Sequence, residues 1–250
     1  MKTSKHKAMA YLTRDILNQT IAPNERLVTQ DLSNRYGLGL SPIREATQEL
    51  ASMGFVDYKP NIGAYVTPLT AIELRSLIQF LIFHFDNFSS PTQNSPVTHE
   101  EVIESDEKYS KQHAEVIIHF IQLKQELNNK DIQRVNAIII EDHFIALLSL
   151  LRNQHVAKVV DLFFDSVLTN LRRYIRLYIM HDPKQCSQLL PINTMEQIMV
   201  AFTQDNHLEC AELVVQYLEK LLNHLLPAFS WDSGHGITIS PNTRMSGDIV

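Results

Sequence analysis

The stretch that decides the fold covers residues 37–66 and reads GLGLSPIREATQELASMGFVDYKPNIGAYV. Ser41 is a good helix cap, and Pro42 suits the first position of the helix that follows. The apolar spacing carries this helix to about residue 53, where Gly54 stops it. Two short alternating runs then flank a turn that ends at Gly63, which predicts a β-hairpin.

The residues before this stretch predict two more helices. Ala8 to Asn18 has apolar residues at helical spacing. Thr29 is a candidate cap for a short helix that ends at Gly37. Three helices followed by a hairpin predict a winged helix-turn-helix, the fold that places its third helix in the major groove of DNA.

The third helix and the hairpin carry side chains suited to DNA. Arg can pair with guanine, Gln can pair with adenine, and a helix N-terminus binds phosphate. The predicted DNA-binding residues are Arg35, Ser41, Pro42, Arg44, Gln48, Lys59, Asn61 and Gly63. The alternative is a small helical cap in which Arg44 merely pairs with Glu45 or Glu49.

The charge is divided unevenly along the chain. Residues 1–69 hold eight Lys and Arg against six acidic residues, which gives a net charge of +2. The remaining residues carry a net charge of −8, so the total is −6. A basic segment joined to an acidic one is expected when only the first touches a polyanion.

The same stretch resembles the DNA-binding domain of the GntR family of bacterial transcription regulators. The resemblance covers about residues 6–69 and rests on Leu38-Gly39-Leu40-Ser41-Pro42-Ile43-Arg44-Glu45-Ala46, on Met53-Gly54-Phe55-Val56 and on Asn61-Ile62-Gly63-Ala64-Tyr65-Val66. The family commonly has a DNA-contacting Arg two residues before the Pro. This chain has Leu40 there, so the family's usual operator is not expected.

Beyond residue 69 the periodicity is helical almost throughout. No glycine lies between Gly63 and Gly234, which argues against phosphate loops and barrels. We predict helices at about 70–87, 100–127, 130–152, 155–180, 193–204 and 206–226. The fold class is therefore mainly α, with a winged helix-turn-helix at 1–69, an all-α bundle of six or seven helices at 70–228 and a flexible tail at 229–250.

The compartment follows from what the sequence lacks. Cys186 and Cys210 make no disulfide framework, and there is neither a secretory signal nor an apolar run of membrane-spanning length. We expect a cytoplasmic protein without a membrane partner. The sequence also lacks a nucleophile-elbow motif, a His-Glu-x-x-His motif and a phosphate loop, so we do not expect an enzyme.

The bundle resembles the effector domain, called FCD, of the FadR branch of that family. The resemblance rests on the helix pattern and on Glu141-Asp142-His143-Phe144, continuing to Leu148 and Gln154. Many FCD domains hold a metal with one Asp and three His. The matching positions here are Glu141 or Asp142, then Ile145, Gln197 and Tyr217, so we predict no metal and no other cofactor.

An apolar effector pocket is the sharper hypothesis for the bundle. The predicted effector-binding residues are Phe80, Asp142, Phe144, Arg172, Arg176, Tyr178, Gln197 and Tyr217, with an arginine for a polar head group. Plain packing in the core or at a subunit interface is the alternative.

Together these features predict a transcription regulator that binds double-stranded DNA as a homodimer on a palindromic operator. A small-molecule effector of apolar or mixed character would alter its occupancy. The alternative is the same regulator with a ligand-free bundle that only dimerises or docks a partner.

Overall fold

The computed structural model describes residues 3–59, 61–88, 99–129, 132–152 and 158–229, without the side chains of Phe88, residues 99–109 and Arg134. The predicted tail lies outside the described residues except for Phe229, which is buried and ends the last helix. Within the described ranges, no helix combines the length and apolar character that a membrane crossing requires.

The N-terminal part folds as three helices and a hairpin, as predicted. The elements are α1 (Ser4–Leu17), α2 (Thr29–Tyr36), α3 (Leu40–Ser52), β1 (Val56–Lys59) and β2 (Gly63–Val66). The strands are antiparallel, with Val56 opposite Val66 and Lys59 opposite Gly63. Arg26 bridges to Tyr65, so a short extended segment lines the outer edge of the hairpin.

Two predicted helix caps were wrong. Thr29 is the first residue of α2, and Val28 occupies the cap position. Gly39 caps α3, so that Ser41 is its second residue and Pro42 its third. Proline fits anywhere in the first helical turn because the N–H it lacks would be unpaired there in any case. The sequence pattern therefore located the turn but not the cap.

The winged domain has its own hydrophobic core. Leu12 of α1, Ile43 and Leu50 of α3, and Phe55 at the start of the hairpin are fully buried. The buried Asp15 carboxylate accepts a hydrogen bond from Tyr36 Oη at 2.8 Å and thereby ties α1 to α2.

The second part of the chain is a helical domain with a separate core. Its helices are α4 (Ala71–Phe88), α5 (His99–Leu127), α6 (Arg134–Leu151), α7 (Lys158–His181), α8 (Cys186–Leu189), α9 (Ile192–Thr203) and α10 (His207–Phe229). The six long helices match the predicted ones. The predicted loop after His181 is partly helical, because Asp182 caps a 3₁₀ turn at Pro183–Gln185 that leads into α8.

Helix α4 lies at the centre of this domain. Leu74, Ile78, Leu81 and Phe85 recur at helical spacing and are all buried. They pack against α7 and α10.

Helix α7 also holds the winged domain. Arg173 is almost fully buried and donates hydrogen bonds to Thr67 Oγ1 and Thr67 O, both at 2.6 Å. Asn170 Nδ2 donates to Met53 O at 2.7 Å, and Arg176 donates to Asn18 Oδ1 at 2.9 Å. The two domains therefore meet along one face of α7.

Truncation of Ile43 tests the winged-domain core. Ile43→Ala removes buried methyl groups and leaves a cavity, so we expect the free energy of unfolding to fall by about 2–4 kcal/mol in urea titrations. Ile72→Ala is the control, because Ile72 is 79% exposed on α4, and its effect should stay within about 0.5 kcal/mol. Equal losses in the two variants would contradict this assignment of the core.

His84 makes a second, pH-dependent test. Its ring is buried, with its centroid 4.5 Å from that of Phe164, and burial lowers its pKa below the usual 6.5. As the pH falls, His84 is therefore protonated in the unfolded chain before it is protonated in the folded chain. The free energy of unfolding decreases as the pH drops below about 6.5, by up to ~1.4 kcal/mol per pH unit.

His84→Phe removes this group while keeping an aromatic ring in the cluster. We expect urea unfolding at pH 7.5 and 5.5 to show a smaller loss of stability for the variant than for the wild type. The other histidines contribute equally to both proteins. An identical pH dependence in the two would refute the role given to His84.

Candidate functional site

Helix α3 exposes one polar face. Ile43, Ala46 and Leu50 point into the core, whereas Arg44 and Gln48, one turn apart, are exposed. Ser41 is exposed at the beginning of the same helix. Among the predicted DNA-binding residues, the structure therefore brings Ser41, Arg44 and Gln48 together on one surface.

The acidic neighbours of Arg44 are engaged elsewhere. Glu45 accepts a hydrogen bond from Ser41 Oγ at 2.9 Å, and Glu49 forms an ion pair with Lys5 at 2.8 Å. Within the described part of the chain, Arg44 has no carboxylate within 4.0 Å. The alternative in which Arg44 merely pairs with Glu45 or Glu49 is therefore wrong, and its guanidinium is available to a ligand.

The hairpin forms a second exposed surface. Lys59 lies over the Tyr65 ring, with 4.7 Å between Nζ and the ring centroid. Asn61 and Gly63 both have positive φ, 62° and 108°, which makes the turn tight. All three predicted residues of the wing are exposed.

Arg26 belongs to this surface and was missed by the sequence analysis. It is exposed, and a Cβ added at Gly63 would lie 3.8 Å from Arg26 Nε. Arg26 lies in the segment between α1 and α2, for which the sequence predicted no helix or strand. The apolar Leu27 next to Arg26 is the one local sign that the segment follows a sheet edge.

Two other predicted DNA-binding residues lie differently. Arg35 is directed towards the buried Asp15 carboxylate, with 3.9 Å between Nη1 and Oδ2. Pro42 is half-buried in the first turn of α3, where it shapes the helix rather than offering a polar group.

The predicted effector-binding residues do not surround one pocket. Phe144 and Tyr217 make an edge-to-face contact and line an apolar cavity of about 10 Å³, room for no more than one water molecule. Tyr217 donates to Leu189 O at 3.1 Å, and burial raises its pKa well above the usual value. This part of the interior is packed core.

The remaining members of that set are scattered. Phe80 packs edge-to-face on Phe163, and Tyr178 is hydrogen-bonded to His224 at 2.9 Å. Gln197 is exposed on the outer face of α9, away from the cavity that Phe144 and Tyr217 line. Asp142, Arg172 and Arg176 lie together, at a cleft between the two domains.

Among the positions that match the family's metal ligands, the acidic Glu141 is engaged in ion pairs. Glu141 is fully buried and paired with Arg172 and Arg176, which is charge compensation by guanidinium groups. Among the described residues, no three His, Cys, Asp or Glu side chains are grouped so as to hold a metal ion.

Comparison with known proteins agrees with this geometry in the N-terminal part. Residues 5–66 match the family model described as "Bacterial regulatory proteins, gntR family". The HTH-type transcriptional repressor RspR of Escherichia coli K12 is 34% identical over 65 residues, which are 26% of this chain and 28% of that protein. The chain thus spans under a third of the curated relative that it matches.

Two solved structures share the fold over most of the chain. A protein from Rhodococcus sp. RHA1 described as a GntR transcriptional regulator has a TM-score of 0.65 at 17% identity, over 90% of this chain and 98% of that one. Escherichia coli McbR/YncC has a TM-score of 0.61 at 14% identity, over 91% and 99%. The family model is described as one of regulatory proteins, and RspR and the Rhodococcus protein are described as transcriptional regulators, not as enzymes. Residues 5–66 thus form a winged helix-turn-helix that matches the model of the gntR family of bacterial regulatory proteins, and they are joined to a helical domain.

Proposed function

We propose that this protein is a cytoplasmic, sequence-specific DNA-binding transcription regulator. One observation carries the proposal: α3 exposes Arg44 and Gln48 side by side, with the acidic neighbours of Arg44 bound to other groups. Arg pairs with the O6 and N7 atoms of guanine and Gln with the N6 and N7 atoms of adenine, so this face offers specific donors to the major groove.

The wing supplies the contacts that position the helix. Lys59 on the hairpin and Arg26 on the segment along its edge are exposed cations, and such groups bind phosphate without reading sequence. Leu40, at the beginning of α3, is also exposed. An apolar side chain there can contact a thymine methyl group, so we expect an operator different from that of relatives with Arg at this position.

The test is Arg44→Ala in the full chain. We expect this variant to bind the promoter of its own gene or a neighbouring gene about 5- to 150-fold more weakly, because one bidentate base contact is lost. Fluorescence anisotropy at several salt concentrations measures the affinity, and the melting temperature should be unchanged because Arg44 is exposed.

Arg75→Ala is the matched control, since Arg75 is an exposed arginine on α4 of the helical domain. Its promoter affinity should equal that of the wild type. Wild-type binding by the Arg44 variant, or an affinity that does not fall steeply with salt, would refute the proposal.

We further infer that the regulator acts as a homodimer on a two-fold symmetric operator. Val159, Leu162 and Phe163 of α7 are more than half exposed. Phe163 packs edge-to-face on Phe80 of α4, and Phe83, one turn further along α4, is also more than half exposed. Exposed apolar faces of this kind mark protein interfaces, and a second copy would cover the face by a two-fold axis. Two reading heads would also double the base contacts.

A charge placed in this face tests the dimer. Leu162 is 61% exposed, so Leu162→Asp leaves the fold intact, and we expect a shift from dimer to monomer in sedimentation velocity. Leu208→Asp is the control, with Leu208 64% exposed on α10. If both variants stay dimeric, or if the wild type is a monomer, this face is not the interface.

The small interior cavity favours a second candidate, the same regulator with a ligand-free dimerisation or partner-docking bundle. Native mass spectrometry of protein purified from its host separates the two. A retained small molecule supports effector control, and protein of the bare mass supports the ligand-free bundle.

A further inference from the structure

A cleft of about 500 Å³ separates α1 of the winged domain from α6 and α7 of the helical domain. Its volume lies within the range of small-molecule sites, roughly 300–1,000 Å³. We propose that this cleft binds a small organic anion with an apolar body, such as a medium-chain carboxylate. That such a ligand acts as the effector rests on the proposed function.

The walls of the cleft are rich in guanidinium groups. Arg14, Arg172 and Arg176 line it, together with the carboxylate of Asp142. Arg14 is paired with Asp15 at 2.9 Å, and Glu141, fully buried behind the cleft, holds Nε of Arg172 and Nε of Arg176. The pairing with Glu141 fixes the two arginines, and Nη2 of each lies towards Asp142.

Asp142 marks the place that a ligand carboxylate would take. Its Oδ1 atom lies 2.5 Å from Arg172 Nη2 and 3.6 Å from Arg176 Nη2. Its side chain is 51% exposed, so it can turn into water and leave both guanidinium groups to an incoming anion at little cost. Two adjacent guanidinium groups are a strong receptor for a planar carboxylate.

The rest of the lining is partly apolar, beside the polar Thr13 and Asn18, and favours an apolar body. Met9 and Leu17 of α1 face Ile138 of α6 across the cleft. A carboxylate held by Arg172 and Arg176 would lay its chain against these side chains. Burying methylene groups against these apolar side chains is favourable. We therefore expect a carboxylate with several methylene groups to bind better than acetate or an inorganic anion.

The position of the cleft explains how a ligand would act. Arg176 also donates to Asn18 Oδ1 on α1 at 2.9 Å, so the same side chain touches both domains. An anion bound here contacts the winged domain and the helical domain together and changes the free energy of their contact.

The test uses hexanoate as the probe, titrated into the full-length chain without DNA and followed by calorimetry or NMR. We expect saturable binding, and binding of the neutral analogue hexanamide at least about tenfold weaker. Asp142→Asn should tighten hexanoate binding about fivefold by removing the competing carboxylate, and Arg172→Gln should weaken it about tenfold. Asp86→Asn and Arg75→Gln, on α4, are the matched controls and should leave it unchanged.

Three results would overturn the proposal: no saturable binding by the wild type and by Asp142→Asn, equal binding of hexanamide, or no effect of Asp142→Asn. If Arg172→Gln unfolds, the surface substitution at Asp142 and the amide comparison still decide. Because no DNA is present, a protein that binds its promoter but not hexanoate loses only this proposal. A protein that binds hexanoate but no promoter loses only the proposed function.

Discussion

The buried contact between Arg173 and Thr67 is the interaction on which the arrangement of the molecule depends. Thr67 follows the last strand of the wing and donates its hydroxyl hydrogen to Gly54 O at 2.8 Å, while Arg173 donates to its hydroxyl and carbonyl oxygens. The Arg173 guanidinium also lies over the Phe55 ring, 5.1 Å from its centroid. A charge buried to this degree is tolerated only when hydrogen bonds satisfy it, so the contact fixes the winged domain on the helical domain in one position.

Helix α7 contributes to the contact between the domains, to the proposed dimer face and to the proposed anion site. Its 24 residues span about 36 Å. The N-terminal half carries the exposed apolar face with Leu162, and the C-terminal half carries Arg172, Arg173 and Arg176. In the proposed function, a rigid rod of this length would transmit a change at the cleft or at a dimer face to the winged domain without any rearrangement of the bundle core. The packed interior around Tyr217 agrees with a ligand site placed between the domains rather than inside the bundle.

The sequence predicted what short-range chemistry determines. Gly37 adopts the left-handed conformation after α2, the hairpin turn uses Asn61 and Gly63, and apolar spacing located the six long helices. Apart from the two helix caps, the errors lie where a choice depends on contacts distant in the chain. Arg173 and Thr67 are 106 residues apart, and no local pattern says that this arginine, rather than Arg172, turns inward. The predicted effector-binding residues do not form one group for the same reason, since Phe144, Gln197 and Arg176 lie in different environments.

The central claim is that α3 reads base edges through Arg44 while α7 holds it in place. A base-by-base substitution scan of the operator, measured with both the wild type and Arg44→Ala, tests it most directly. The account predicts one base pair whose replacement weakens the wild type by about 5- to 150-fold and leaves the variant unaffected. A variant that is weakened equally on every sequence, including unrelated DNA, would show that Arg44 contacts phosphate, and the claim would be wrong.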